Sequence, residues 1–178
     1  MHQQQITRQI RTFCHRCRMQ NRKCQRFNTL TDCMSRCTVY VTVLPFGISK
    51  KTIQQVVFFT LKKTGHEGSV SVHCIGEKRM RGLNRLHRGV DRPTDVLSFS
   101  ALEGMPPVAD PDETDIGDIF IAIPVIKRQA KRFGITFRDE FYRMLVHGVL
   151  HLVGYDHEQK NDAERMFFLQ ESIVKKIV

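Results

Sequence analysis

The 178-residue sequence has no long uninterrupted run of apolar residues, and this absence limits where the protein can work. A helix needs about 18–20 consecutive apolar residues to cross a bilayer, and no such run occurs. The first thirty residues also lack the apolar centre of a secretory signal. Six cysteines in a chain without an export signal are most simply reduced thiols. We therefore expect a cytoplasmic protein without a membrane partner, which weighs against a secreted metalloprotease.

Acidic residues are scarce in the first 36 residues, so the charge of the chain is uneven. This segment has eight Lys and Arg against the single acid Asp32, a net charge of +7, whereas the remaining twenty basic and seventeen acidic residues leave +3. Cys14 and Cys17 resemble half of a zinc knuckle, but a second C-x2-C pair is missing. We expect residues 1–36 to be a basic, cysteine-containing arm that is disordered, binds a second zinc ion, or is not translated because synthesis starts at Met34.

Residues 37–178 contain alternating strand and helix patterns that predict one domain. Strands are predicted at 38–44, 69–75, 94–99 and 116–123. Helices are predicted at 49–63, 77–86 with Leu86 facing inward, 124–133, from 136 through the histidines described below, and after a cap at Asn161 or Asp162. Three prolines and five acids in residues 101–115 predict a long loop. Four strands with about five helices favour an α+β fold with a mixed four-stranded sheet.

Three histidines lie close together in the segment His147-Gly-Val-Leu-His151-Leu-Val-Gly154-Tyr-Asp-His157. A helix of about 3.6 residues per turn places His147 and His151 on one face. Gly154 can adopt the left-handed conformation that ends a helix and brings His157 back beside the pair. Three imidazoles leave the fourth position of a tetrahedral zinc ion open, which is typical of a catalytic site. We predict one Zn²⁺ here, although nickel, cobalt or copper also suit imidazole ligands, and we expect Asp156 either to support a ligand or to cap the turn.

The histidine segment lacks the glutamate that follows the first ligand in zinc proteases. Gly148 occupies this position and cannot accept a proton. Either a metal-activated hydroxide suffices for catalysis, or a base comes from elsewhere, with Asp156 and the acids of the 101–115 loop as candidates. The missing base therefore argues against a protease.

Two further motifs, together with the histidine segment, resemble one family. They are Leu83-Asn-Arg-Leu-His-Arg-Gly-Val-Asp-Arg-Pro-Thr-Asp-Val-Leu-Ser-Phe99 and Gly117-Asp-Ile-Phe-Ile121. In this order, over about residues 38–177, the three motifs resemble the bacterial YbeY family of metal-dependent endoribonucleases. The resemblance implies maturation of the 16S rRNA 3′ end and ribosome quality control, with ribosomal RNA and the small ribosomal subunit as partners and no DNA. Ser100 stands where the family commonly has proline, and residues 1–36 have no counterpart.

The resemblance also implies which residues act. It gives His147, His151 and His157 as metal ligands and Arg88 as a functional residue. A guanidinium matches phosphate geometry and stays charged at any working pH, so we expect Arg88 to clamp a phosphate. The surrounding basic residues predict either a salt-dependent RNA contact or a solvated surface; they are Lys78, Arg79, Arg81, Arg85 and Arg92. This face has no evident aromatic neighbours and should contribute little base specificity.

The favoured function is thus a zinc-dependent endoribonuclease that prefers single strands. A metal-activated nucleophile, either water or the ribose 2′-OH, attacks the phosphodiester while Arg88 holds the phosphate. Two alternatives are a zincin-like metallopeptidase or other metal-dependent hydrolase, and a non-catalytic, ribosome-associated zinc protein.

Overall fold

A mixed four-stranded sheet and five helices make up residues 37–101 and 115–177, the part of the chain that the computed structural model describes. The strands are β1 Cys37–Val41, β2 Ser69–Ile75, β3 Val96–Ser100 and β4 Asp115–Ala122. The helices are α1 Lys50–Thr64, α2 Glu77–Arg88, α3 Ile123–Phe133, α4 Phe137–Leu152 and α5 Lys160–Val174. The predicted α+β fold is confirmed. The predicted basic arm and nearly all of the predicted acidic loop lie outside the described residues.

The strand order is β1-β2-β4-β3. Strand β2 pairs in parallel with both β1 and β4, and β3 runs antiparallel to β4 along the edge of the sheet. Parallel neighbours need a crossover connection, and α1 provides it between β1 and β2. In this order β4 is a central strand. Its neighbour β3, which follows α2 in the chain, lies at the edge of the sheet.

Hydrophobic cores lie on both faces of the sheet. Val70, Val72 and Cys74 alternate along β2 and pack, together with residues of α1 and α4, in the larger core. On the other face α2 contributes Met80 to a smaller core that includes Phe120. The thiol of Cys74 is free, and burial raises its pKa to about 12, so it is unreactive at neutral pH.

The ends of α1 follow local sequence signals. Ser49 caps the helix, its hydroxyl accepting a hydrogen bond from the Thr52 backbone N–H at 3.1 Å. Gly65 ends the helix at φ 73°, in the left-handed region that glycine adopts without steric cost. The helix matches the one predicted at 49–63 to within one residue at each end. Among the helices of the described residues, none is both long and apolar enough for a membrane span.

Several predicted details of these elements are wrong, among them the start of β3, which lies at Val96 rather than at residue 94. Strand β1 ends at Val41, because the Thr42 and Val43 backbone N–H groups both donate to the carbonyl of Cys74, at 3.0 and 3.3 Å, which interrupts the ladder. Leu86 was predicted to face inward but is 68% exposed, because α2 packs on the sheet through Met80 and Leu83 instead. Neither Asn161 nor Asp162 caps α5: the helix begins at Lys160, and Gln159, two residues before Asn161, is the N-cap.

Candidate metal centre

Helix α4 carries two of the three histidines and is anchored at its start by Thr136. The hydroxyl of Thr136 accepts a hydrogen bond from the Asp139 backbone N–H at 3.1 Å, as the capping pattern predicts. One face of the helix is buried in the larger core through Phe141, Leu145 and Val149. The capped start and the buried face fix the rotation of α4 about its axis, and therefore the direction in which its histidines point.

The third histidine reaches the other two through a tight turn. Helix α4 ends at Leu152, and Gly154 has a φ of 90°, in the left-handed region. The Gly154 N–H donates to the His151 carbonyl at 3.1 Å, and the Tyr155 N–H donates to the Leu150 carbonyl at 3.0 Å. The turn brings His157 beside the helix, as its spacing predicts.

The three imidazoles converge on one point. The Nε2 atoms of His147 and His151 lie 3.1 Å apart, and one nitrogen from each of the three rings lies within 4.8 Å of the others. His147 and His151 are half-buried, whereas His157 is exposed. The cluster therefore combines ligands of suitable type with an open side, as a catalytic metal site requires.

The protonation state of the cluster also suits a metal ion, since an imidazole binds a metal in its neutral form, through a free lone pair. Burial, followed by the neighbouring His147 and His157, lowers the pKa of His151 to about 4. Burial also lowers the pKa of His147, and the hydrogen bond from its ring to Gln170 opposes this shift only in part. At neutral pH both rings are uncharged, so the donor set fits a divalent cation that prefers nitrogen ligands.

Gln170 of α5 orients His147. Its Oε1 accepts a hydrogen bond from Nδ1 of His147 at 2.9 Å, which leaves Nε2 facing the cluster. The Gln170 side-chain amide donates in turn to Glu171, which pairs with Arg143 of α4 at 2.9 Å. Gln170 is 4% exposed. A buried partner of this kind sets the tautomer of a ligand histidine.

A cleft of about 860 Å³ opens over the cluster. It is lined by the three histidines, by Arg88 at the end of α2, by residues of β3, and by the turn from Leu152 to Glu158. The residues singled out from the sequence as metal ligands and as phosphate clamp thus border one space. The side chain of Arg88 is exposed, and Gly89 ends α2 behind it with a φ of 71°.

The other basic residues of this region lie outside the cleft lining. All five are exposed: Lys78, Arg79, Arg81, Arg85 and Arg92. Arg81 forms a two-armed ion pair with Asp91, with nitrogen–oxygen distances of 2.8 and 2.6 Å. Arg81 is therefore partly neutralised, while its neighbours present their charge to solvent.

Two aspartates border the cleft, and each is already engaged. The Asp156 carboxylate accepts a hydrogen bond from the His157 backbone N–H at 2.7 Å, and its charge also acts to raise the pKa of His151. Asp95 was not expected from the sequence. Burial alone would raise the pKa of Asp95, but hydrogen bonds from Gln129, Thr94 and the Val96 N–H together hold it below its usual value. Asp95 is therefore a fixed negative charge rather than a ready proton acceptor.

Gly148 allows α4 to approach the sheet closely. A Cβ atom at this position would lie 2.9 Å from Cγ2 of Ile119 and 3.1 Å from Oγ of Ser98. Both contacts are shorter than ordinary packing permits. A glutamate here would therefore require α4 to move away from β4, so packing as well as chemistry disfavours the protease arrangement.

Fold and site together define an α+β domain with a three-histidine cluster, able to hold a metal ion, on the floor of a cleft bordered by an arginine. The family described as Endoribonuclease YbeY matches residues 46–178. This chain belongs to the YbeY endoribonuclease family.

Individual relatives cover most of the domain. The protein named Endoribonuclease YbeY from Persephonella marina is 37% identical over 133 residues, covering 74% of this chain and 85% of the relative. The protein of the same name from Pelotomaculum thermopropionicum is 39% identical over 131 residues, with coverage of 74% and 85%. The solution structure of TM1509 from Thermotoga maritima has a TM-score of 0.53 and 29% identity, covering 79% of this chain and 88% of the other. The family match begins after β1 and includes the other three strands and all five helices of the described residues.

Proposed function

We propose that this chain is a metal-dependent endoribonuclease that cleaves single-stranded regions of ribosomal RNA. The observation that carries the proposal is that Arg88 and the three histidines border the same cleft, in a chain that belongs to the YbeY endoribonuclease family. Zn²⁺ is the expected metal, and His147, His151 and His157 would hold it. When bound, such an ion supplies a Lewis acid that polarises a phosphoryl oxygen and activates an oxygen nucleophile.

The protein's own groups then have separate tasks. Arg88 donates paired N–H groups to the oxygens of the scissile phosphate and offsets the charge that develops there. Gln170 holds His147 so that its Nε2 faces the cluster. Asp95, fixed by its hydrogen bonds, adds a negative charge that favours a cation in the cleft. The exposed basic residues of α2 attract the RNA backbone without reading its sequence.

The biological setting is proposed from the family alone. Maturation of the 16S rRNA 3′ end and ribosome quality control, in the cytoplasm and in contact with the small ribosomal subunit, are consistent with an endoribonuclease of this family. The cleft itself supports the chemistry rather than the choice of RNA.

The proposal is tested by measuring metal content and RNA cleavage in the same preparations. We expect the wild type to contain about one metal ion per chain and to cut single-stranded RNA. Arg88→Ala should lose cleavage by roughly 10²-fold or more while retaining its metal, since it removes charge stabilisation of the reacting phosphate. Arg132→Ala, which removes an exposed arginine of α3 outside the cleft lining, is the matched control.

His151→Ala completes the series. It should lose both the metal and the cleavage. Cleavage that persists in His151→Ala would identify a contaminating nuclease and contradict the proposal. Hydrolysis of casein by the wild type would support a peptidase instead.

A further inference from the structure

A half-exposed phenylalanine flanks the histidine cluster. Phe167 of α5 lies with its ring nearly parallel to that of His157, at 14° and 5.8 Å between centroids. Its ring is also nearly parallel to that of His147, at 12° and 6.4 Å. Phe167 is 45% exposed. The cluster therefore has an aromatic surface on the side of α5, and part of that surface faces solvent.

The position of this ring follows from the rotation of α5. Gln170, one turn further along, reaches His147 with its side chain, so this side of the helix faces the cluster. Met166 is fully buried beneath it, whereas Phe168 turns to solvent with 80% exposure. Of the adjacent phenylalanines, Phe167 alone contacts the histidine rings among the described residues. A leucine would fill the apolar contact equally well but would offer no flat face.

We propose that Phe167 is a stacking platform for an unpaired RNA base next to the scissile phosphate. This inference rests on the proposed nuclease function, and it adds a binding subsite for a nucleobase to the phosphate site between Arg88 and the histidines. A base stacks on an aromatic ring only when it has left its own helix, so the subsite favours single-stranded over duplex RNA. Every base has a π-face, so the contact selects for strandedness with little dependence on sequence.

The other aromatic side chains near the site are less suited to this role. Tyr155 borders the cleft but packs against the larger core. Phe167 is not among the residues that line the cleft, and it lies next to the cleft through its contact with His157, which does line it. The basic face of α2 attracts phosphates on either single or double strands and does not distinguish them. Phe167 supplies that distinction, because its half-exposed ring lies beside the residues proposed to hold the metal.

The test is binding of a short single-stranded RNA that carries one 2-aminopurine among uridines, with the matching duplex as comparison. Metal-loaded, full-length protein is mixed with RNA and read within seconds. In the wild type, stacking should quench the 2-aminopurine fluorescence. Phe167→Leu should lose the quenching and bind the single strand at least about 5-fold more weakly, since base–aromatic stacking contributes about 1–3 kcal/mol. Duplex binding should not change.

Three controls separate stacking from other effects. Phe167→Tyr retains a ring and should keep both the quenching and the affinity. Phe133→Leu, at the end of α3 where 59% of the residue is exposed, should behave as wild type. The slope of log Kd against log salt should be the same in Phe167→Leu and wild type, because no phosphate contact is removed.

The outcomes distinguish this inference from the proposed function. If the wild type cleaves RNA but Phe167→Leu binds the single strand unchanged, or weakens single strand and duplex alike, the stacking role is wrong and the nuclease stands. If the wild type neither binds nor cleaves RNA, both proposals fail. Loss of metal in Phe167→Leu would also overturn the stacking role, because the ring would then act by supporting the histidines.

Discussion

His147 depends on a residue from a different helix for its orientation. Its Nδ1 donates a hydrogen bond to Gln170, and Gln170 connects through Glu171 to Arg143, so His147 belongs to a polar network between α4 and α5. Arg143 also reaches Glu140, whose carboxylate is almost fully buried. Because buried polar groups that lose a partner are costly, this network holds one arrangement.

Gln170→Leu should weaken metal binding by about 10–100-fold, because Nδ1 of His147 loses its acceptor. Competition with a chelator of known affinity measures this change. Gln170→Glu keeps an acceptor and should retain most of the affinity, while Gln55→Leu, on the exposed side of α1, should have no effect. Equal affinities in wild type and Gln170→Leu would show that His147 needs no support from α5.

The histidine cluster was predictable because the spacing of its residues reflects a local geometry, one helical turn followed by a glycine turn. Gln170 was not, since it lies 23 residues beyond His147 and bonds to it only through the packing of two helices. Asp95 reaches the cleft from just before β3, and Phe167 of α5 contacts the rings of His147 and His157, with no local pattern that marks either. Arg88 was predicted to be a functional residue because of the family resemblance.

At the scale of whole elements, the separation between α4 and the sheet is set by Gly148. The helix lies so close to Ile119 of β4 and Ser98 of β3 that a methyl group has no room. Since His147 directly precedes Gly148, the distance between α4 and the sheet also sets the depth of the histidine cluster in the cleft.

Gly148→Ala should destabilise the protein by about 1–3 kcal/mol, the usual cost of overpacking. Urea denaturation, compared at equal slope, measures the difference. Gly82→Ala is the matched control, because Gly82 lies within α2 and a Cβ there would meet nothing within 4 Å. This control should gain roughly 0.5–1 kcal/mol from the higher helix propensity of alanine. A stable Gly148→Ala protein would mean that α4 can move outward freely.

On the exposed side of α2, Arg81 forms hydrogen bonds to Asp91, whereas Arg85 affects the same carboxylate only through its charge. Arg85→Ala should weaken RNA binding at low salt and reduce the slope of log Kd against log salt by about one, since it removes one phosphate contact. Arg81→Ala should have a smaller effect, because Arg81 is paired with Asp91. Titrations at several salt concentrations test the difference. Identical slopes for wild type and Arg85→Ala would exclude Arg85 from the RNA contact.

The types of the helices and strands were predicted more accurately than the side of each helix that is buried. Five helices and four strands follow from periodicity and caps, but the exposure of Leu86 depends on how much of the sheet α2 covers, which is a property of the folded chain. The N-cap of α5, Gln159, was missed because its side chain makes no capping hydrogen bond, so the sequence carries no signal for it.

At the scale of the whole molecule, the histidine cluster links stability to pH. The pKa of His151 falls from 6.5 to about 4 on folding in the absence of metal. Between these two values the unfolded chain binds a proton that the folded chain does not. Stability is therefore complete above about pH 6.5 and declines as the pH falls towards 4.

We expect the melting temperature of the metal-free protein to fall between pH 7 and pH 4.5, and to fall less in His151→Asn, whose side chain does not titrate in this range. Calorimetry in the presence of a chelator measures both. The effect is moderated by solvent, since His151 is only half-buried. A fall of equal size in both proteins would assign the dependence to other groups.

The bond between Gln170 and His147 also has a consequence for the order in which the protein is made. Translation proceeds from α4 to α5, so all three histidines leave the ribosome before the glutamine that orients the first of them. Phe167, on the same helix, is equally late. The chain thus emerges from the ribosome with an incomplete site, and this site is complete only after the last helix has folded onto the rest.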